Sequence, residues 1–448
     1  MTLTGSSLRP PDICSHGRVY RADELIERVG RAAGALRALP VTRLGICLPT
    51  GWQYIATLFA SWYAHIPAVL ISPKLPPEDV GDKLTQTGVS AVVTDRHDLD
   101  VARIDPARLW EGPGSGPTMV PDSRALATLV FTSGSSAEPK AATHQLSQHV
   151  ASANGVIERL GLGPEDRWLL TLPLYHVSGL SVVFRCAMAR ARVVLSRKPL
   201  YEALASSRAT HVSLVGTQLQ QLLDQSSYQP VPPSLKAVIV GGGPVSASVL
   251  AEAQRRNWPV CTTYGLTEMA SMVTLSEPGT DLDTAGWPLL GRRVRISTEG
   301  EILVRGGCLF AGYWQSGELH LPIDEDGWYH TGDLGRLDTG GRLEVLGRKD
   351  DMFISGGENV SPQEIENTLM TAPSITAAVV VPVADEVFGL RPVAYVKGDH
   401  DELKVGAHLS RWLPKFKIPE LRPWPAEVPA AGLKVPRRYF AELARGVF

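Results

Sequence analysis

Leu126-Ala127-Thr128-Leu129-Val130-Phe131 is a short apolar run that breaks at once into Thr132-Ser133-Gly134-Ser135-Ser136-Ala137-Glu138-Pro139-Lys140. A run this short, nearly without polar alternation and ended by Ser and Gly, reads as a strand buried on both faces. The same pattern recurs downstream. Trp168 to Leu172 precedes Pro173-Leu174-Tyr175-His176 and a helical stretch from Leu180 to Arg190. His211 to Val215 precedes Gln218 to Gln225, and Ala237 to Val240 precedes Gly241-Gly242-Gly243 and then Ser246 to Arg256. Strand alternating with helix predicts an α/β domain with largely parallel sheets covered on both faces. In such sheets ligands collect at the carboxyl ends of strands, where several of these polar turns fall.

The pattern changes after about Arg293. Val294 to Ile296 and Glu301 to Val304 flank Ser297-Thr298-Glu299-Gly300, and Gly335 to Leu337 and Leu343 to Leu346 flank Asp338-Thr339-Gly340-Gly341. Both read as hairpins and predict a β-rich subdomain. The charged run Gly347-Arg348-Lys349-Asp350-Asp351 then reads as a hinge. Beyond it, Ser361-Pro362-Gln363-Glu364 has capping-box spacing with proline at the first helical position. Ala377 to Val381 and Pro392 to Val396 read as strands. The expected organisation is therefore an N-terminal domain over 1–346, a hinge at 347–350, and a small mobile α+β domain over 351–448. The Gly/Pro-rich stretch from Gly112 to Pro121 reads as a surface loop.

Composition narrows the class. The chain has 448 residues, 44% hydrophobic and 20% charged, which is globular and argues against global disorder. Lys and Arg total 44 against 46 Asp and Glu, a formal charge of −2. Such a balance gives no bulk electrostatic reason to bind nucleic acid or an anionic membrane. The five cysteines are scattered, without C-x-x-C pairs or zinc-ligand spacing, as expected of reduced thiols in the cytoplasm. The N-terminus lacks a secretory pattern. The longest apolar region, Thr57 to Leu70, is interrupted by Ser61, His65 and Pro67 and falls short of the ~18 apolar residues of a membrane span.

Three turns carry candidate chemistry. Hydroxyls and backbone N–H groups in Thr132 to Ser136, with Lys140, suit polyphosphate oxygens. The loop is not a Walker A motif, because Pro139 precedes the lysine and Ala141 follows it. On its residues alone the polar strand-to-helix turn is the favoured reading. Gly241-Gly242-Gly243 does not continue as a dinucleotide fingerprint, since Ser246 takes the last glycine position. It still allows a backbone to press against a flat ligand. Tyr264-Gly265-Leu266-Thr267-Glu268 puts an aromatic face, a hydroxyl and a carboxylate within five residues. That set suits a base, a phosphate and Mg²⁺, or else packing and a helix cap.

In their order and spacing these segments resemble the acyl-adenylate-forming superfamily, which includes acyl-CoA synthetases, luciferases and peptide-synthetase adenylation domains. Tyr329-His330-Thr331-Gly332-Asp333, Gly347 to Asp351 and a lysine near the C-terminus complete the set, and the resemblance covers nearly the whole chain. It implies Mg²⁺ as cofactor, with ATP and CoA as co-substrates. It implies that Thr132, Ser133, Gly134, Ser135, Ser136 and Lys140 cradle the β- and γ-phosphates. Gly241, Gly242, Gly243, Tyr264 and Gly265 would border the nucleotide. Thr267 would contact the α-phosphate, and Glu268 would hold Mg²⁺. Asp333 would bind the ribose with Arg348 beside it, and Asp350 would be the pivot. Lys434 would be the adenylation lysine, and Gly356 and Gly357 would line the CoA tunnel. Ala137 stands where the phosphate loop usually has glycine, and Leu433 separates Gly432 from Lys434, which most of the superfamily has adjacent.

Gly-x-Lys is similar to the o-succinylbenzoate–CoA ligases of menaquinone biosynthesis. So are Leu172 to Leu180, Ser213 to Gln220, Gly265 to Ser271 and the short N-terminal part; Gly216 stands where that subgroup usually has proline. The subgroup's substrate carries a second carboxylate that must be recognised. Arg185, nine residues after His176 and flanked by Val182-Val183-Phe184 and Cys186-Ala187-Met188, is the candidate. The resemblance places His176, Ser178 and Thr217 in the same acyl pocket. The expected reaction makes an acyl-adenylate, then an acyl-CoA, AMP and pyrophosphate. Alternatives are another acyl- or aryl-CoA ligase, a carrier-loading adenylating enzyme, or a non-catalytic ATP-binding regulator. The expected partners are small molecules, and assembly as a homo-oligomer stays open.

Overall fold

The computed structural model describes residues 8–111, 121–132, 140–227, 229–280, 282–372, 374–398, 401–428 and 437–446. In the first large sheet, seven strands lie in the order Val260–Thr262, Ala237–Val240, His211–Leu214, Arg167–Leu169, Arg192–Leu195, Ile13–Ser15 and Arg18–Tyr20. All are parallel except the last, which folds back on Ile13–Ser15. The second sheet has a parallel part made of Leu126–Thr132, Ala68–Leu70, Leu44–Cys47, Ala91–Thr94 and Ala102–Ile104. One apolar core joins the two sheets. It takes Ile13, Val193 and Ile239 from the first, Ile46, Leu70 and Val130 from the second, and the helices Trp52–Tyr63, Leu146–Leu160 and Val177–Ala189.

Side-chain alternation along the strands creates the outer layers. Ala237 and Ile239 join the shared core, while Val238 and Val240 join a second core on the opposite face with Leu219, Leu222 and Trp258. Both faces of the strand are thus apolar, so the run reads as continuous in sequence. The helix predicted from Leu180 begins earlier, at Val177, with His176 as its N-cap residue. Gly179 has to be glycine there, because a Cβ would lie 2.2 Å from the Pro173 carbonyl oxygen.

The strand-to-helix reading of the phosphate-loop segment is corrected. Lys140–Gln145 is itself a strand, antiparallel to Leu126–Thr132, with Thr132 opposite Lys140. It continues the sheet to Gly312–Gln315 and Glu318–His320. Ala141, Ala142, Thr143 and His144 are all buried, so the segment is held between two neighbouring strands. The helix starts only at Leu146, where Gln148 Oε1 accepts from the Gln145 N–H in a capping box.

Both expected hairpins form and merge into one four-stranded antiparallel sheet of Arg292–Ile296, Glu301–Gly306, Tyr329–Leu337 and Leu343–Arg348. The last strand includes Gly347 and Arg348, opposite Leu334 and Asp333. The segment expected as a hinge at 347–350 therefore begins inside a strand, and the turn is left to Lys349 and the residues after it. Beyond it, Ser361 caps the helix Pro362–Leu369, its Oγ accepting from Glu364 N–H, with Pro362 in the first turn. Ile375–Asp385 and Gly389–Gly398 form a long hairpin, joined in parallel by Glu420–Pro423. Val380 faces a core with Ile365 and Leu369, while Val379 and Val381 face another with Tyr395 and Phe440. Among the described residues no helix is long and apolar enough to cross a membrane.

Candidate active site

The carboxyl ends of the first sheet bring three predicted segments together. Gly241 follows Ala237–Val240, and its N–H donates to Leu214 O at 3.2 Å. A Cβ there would lie 2.5 Å from Thr263 Cγ2, so the glycine loop rests against the residue preceding Tyr264. Thr217 is exposed in the first turn of the helix Gly216–Gln225, which follows the neighbouring strand. Tyr264 Oη donates to Asp333 Oδ2 at 2.6 Å, joining a residue of the first sheet's edge to one of the four-stranded sheet. Burial, and then the Asp333 carboxylate, hold this phenol well above its ordinary pKa. Arg348 Nη1 meets Asp333 Oδ1 at 3.1 Å, and its Nη2 lies 3.7 Å from Asp350 Oδ2. The residues expected at the base, the ribose and the pivot thus form one connected polar chain.

Thr267, Glu268 and Met269 form a single 3₁₀ turn between the short strands Gly265–Leu266 and Ser271–Met272. Gly265 permits this narrow loop: a Cβ would lie 2.3 Å from Ser271 O. Gly265→Ala is expected to cost about 1–3 kcal/mol of stability through overpacking. Urea unfolding would measure the loss, and an unchanged midpoint would show that the loop has room for a methyl group. A buried histidine that sequence reading missed braces the turn from behind. His144 Nε2 lies 2.8 Å from Thr267 O, and its ring is 4.9 Å from that of His149. Burial pushes the His144 pKa down to about 4, although the bond to Thr267 opposes it, so the ring is neutral at pH 7. A carbonyl oxygen only accepts, so the proton sits on Nε2.

Glu268 is buried and accepts from Tyr313 Oη at 2.5 Å. Among the described residues no group of three or more His, Cys, Asp or Glu could hold a metal ion by itself. A lone carboxylate still fits Mg²⁺, which is commonly bound by one or two carboxylates together with substrate phosphates. Thr132 and Lys140 flank the segment expected to bind phosphates, with Thr132 Oγ1 donating to Lys140 O at 3.3 Å. Ser133, Gly134, Ser135 and Ser136 lie outside the described residues, as does Lys434.

Arg185 is completely buried in the helix Val177–Ala189. Its Nη2 donates to Ser271 Oγ at 2.9 Å, and Ser271 Oγ in turn donates to Ser181 Oγ at 3.1 Å. Nε and Nη1 have no hydrogen-bond partner among the described residues. The guanidinium lies 5.1 Å from the Trp168 ring centroid. A buried cation with two orphaned donors is costly unless an anion joins it. Ser271 lies three residues after Glu268, so the arginine borders the segment that carries Thr267. His176 and Ser178 open the same helix, half-buried. Ser271 and Ser181 carried no sequence signal of their own. Gly356 and Gly357 make the turn between Phe353–Ser355 and Glu358–Val360, both with positive φ, away from the cluster just described in sequence and in sheet.

Residues 13–314 match the model of the AMP-binding enzyme family. The chain is 38% identical over 321 residues to the 2-succinylbenzoate–CoA ligase of Escherichia coli, covering 71% of this chain and 69% of that one. It is 32% identical to the same-named enzyme of Bacillus cereus, covering 94% and 93%. Its fold superposes with a TM-score of 0.87 on o-succinylbenzoate CoA synthetase from Bacillus subtilis in complex with the acyl-adenylate intermediate OSB-AMP, at 28% identity, covering 96% of this chain and 95% of that one. A polar cluster at the strand ends, a buried glutamate beside it and a match over two thirds of the sequence converge on one conclusion: this chain belongs to the AMP-binding enzyme family.

Proposed function

We propose that this enzyme is an o-succinylbenzoate–CoA ligase of menaquinone biosynthesis, acting in the cytoplasm. Its substrate's succinyl carboxylate attacks the α-phosphorus of ATP, pyrophosphate leaves, and the CoA thiol then displaces AMP from the acyl-adenylate. The observation that carries the substrate choice is Arg185. It is a buried guanidinium with two orphaned N–H groups, tied through Ser271 to the segment bearing Thr267 and Glu268. It suits the benzoate carboxylate of a substrate with two carboxylates. His176, Ser178 and Thr217 line the remainder of the acyl pocket in this reading.

Tyr264, with Gly241, Gly242, Gly243 and Gly265, holds the adenine, and Asp333 with Arg348 holds the ribose. Thr267 contacts the α-phosphate. Thr132, Ser133, Gly134, Ser135, Ser136 and Lys140 hold the two outer phosphates. Glu268 would hold Mg²⁺, which when bound would supply neutralisation of the charge on the departing pyrophosphate. Lys434 neutralises the charge that grows on the α-phosphate and carboxylate oxygens. Residues 1–346 act as the binding domain, and 351–448 swing about the 347–350 hinge to bring Gly356 and Gly357 to the pantetheine arm.

The test is AMP formation dependent on both ATP and CoA across a panel of carboxylic acids. o-Succinylbenzoate should have the highest kcat/KM; an equal or higher value for a monocarboxylic acid would reject the substrate. The hinge has its own test. Asp350→Pro fixes φ at the pivot. Pyrophosphate release should stay within a few-fold of wild type, while thioester formation from a supplied acyl-adenylate should fall at least about tenfold. Equal losses in both half-reactions would make Asp350 merely structural.

A further inference from the structure

Tyr313 sits where two parts of the triphosphate machinery meet. It lies on Gly312–Gln315, the strand paired with Lys140–Gln145, directly opposite Ala142. Its hydroxyl is 2.5 Å from Glu268 Oε1, and the Lys140 ammonium is 5.3 Å from its ring centroid. One side chain therefore touches the carboxylate read as the Mg²⁺ ligand and the lysine at the end of the phosphate loop. A second tyrosine completes the line, with Tyr329 Oη 2.9 Å from Tyr313 Oη. Phe310 packs edge-on against both rings, and its N–H donates to Glu268 O at 2.7 Å.

Counting donors fixes the direction of this chain. An ionised carboxylate only accepts, so the single Tyr313 proton goes to Glu268. Tyr313 then has none left for Tyr329, so Tyr329 donates to Tyr313. The order is Tyr329 to Tyr313 to Glu268, with both tyrosines buried. Among the described residues no hydrogen bond reaches Glu268 Oε2. One carboxylate oxygen is fixed by the protein, and the other is left over.

We propose that Tyr313 is a positioning residue for the metal–triphosphate site: its hydroxyl fixes Glu268 for the divalent cation, its ring face steadies Lys140, and Tyr329 sets the direction of the relay. The proposal rests on the reading of Glu268 as the Mg²⁺ ligand. A hydrogen bond to a charged group is a strong one, and its loss leaves a buried carboxylate without its donor.

The experiment is calorimetric titration of wild type, Tyr313→Phe, Tyr329→Phe, Glu268→Gln and the Tyr313→Phe/Glu268→Gln double variant. The titrants are Mg·ATP, ATP in EDTA, and AMP, without acyl substrate. Tyr313→Phe should weaken Mg·ATP about tenfold or more. It should leave AMP and metal-free ATP within about twofold, and thermal unfolding checks that it folds. Tyr329→Phe should show the same selectivity with a smaller loss, and it carries the test if Tyr313→Phe does not fold. In the Glu268→Gln background Tyr313→Phe should add nothing. Equal weakening of all three ligands would reduce Tyr313 to a packing role. If Glu268→Gln loses Mg·ATP and Tyr313→Phe does not, the positioning proposal fails. If Glu268→Gln itself binds Mg·ATP like wild type, the reading of Glu268 fails instead.

Discussion

Lys434→Ala is expected to slow acyl-adenylate formation about 100- to 1,000-fold, the range seen when one preorganised donor to a developing anion is removed. Transfer of the acyl group from supplied acyl-adenylate to CoA should stay within a few-fold of wild type. The asymmetry follows from the proposed swing of residues 351–448, which presents different faces to the two half-reactions. Arg437, three residues beyond Lys434, binds both oxygens of the buried Glu366, the Val380 carbonyl and, at 3.3 Å, Asp351. That cluster ties the start of the helix Arg437–Ala444 to the helix Pro362–Leu369, to the long hairpin and to the residue after the proposed pivot. Pyrophosphate release measured apart from thioester formation decides the matter, and near-normal pyrophosphate release in the variant would remove Lys434 from the first step.

Arg185→Ala should reduce kcat/KM for o-succinylbenzoate roughly 30- to several thousand-fold, the loss expected when a partly desolvated carboxylate is left without its cation. The KM for ATP should barely change. An analogue lacking the benzoate carboxylate should lose far less, so the two substrates and two proteins form a coupling cycle. Additive losses would make Arg185 a structural residue.

Stability should move the other way. In the free enzyme Arg185 is a buried cation whose pKa is pushed down to about 9, by burial first and then by Arg292. It is charged at pH 7 with a single hydroxyl as partner, a state that costs folding free energy. Arg185→Met keeps most of the volume and removes the charge. It should therefore hold or raise the Tm of the free protein, keep the rise in Tm that ATP alone gives, and abolish the further rise that o-succinylbenzoate adds in the wild type. A large drop in Tm for Arg185→Met would show that the guanidinium serves the fold.

The parallel sheets were readable because buried strands declare themselves locally. Ala237–Val240 has the predicted bounds, and Ser361-Pro362 marks the start of its helix through one cap and one fixed φ. The strand Lys140–Gln145 was not readable. Its Lys-Ala-Ala-Thr-His-Gln composition has no strand preference of its own, and its neighbour at Gly312–Gln315 is about 170 residues away in sequence. The same long-range pairing hid Tyr313, which reaches Glu268 only because two distant strands adjoin. His144 was missed for the same reason, as its partner Thr267 is 123 residues away. Tyr264, Thr267, Glu268, Asp333 and Arg348 were singled out through short motifs and the family resemblance, and the structure joins Tyr264, Asp333 and Arg348 in one hydrogen-bonded chain. The burial of Arg185 was legible in its apolar flanks, but its hydroxyl partner Ser271, 86 residues on, was not.

The account stands or falls on the nature of the intermediate. Enzyme incubated with o-succinylbenzoate, Mg²⁺ and ATP labelled at the α-phosphate, without CoA, should yield pyrophosphate and a bound o-succinylbenzoyl-adenylate, identified by mass spectrometry after quenching. Adding CoA should discharge that species to o-succinylbenzoyl-CoA and AMP in a single turnover. Formation of ADP and an acyl phosphate, or of no acyl-nucleotide with this acid, would contradict it.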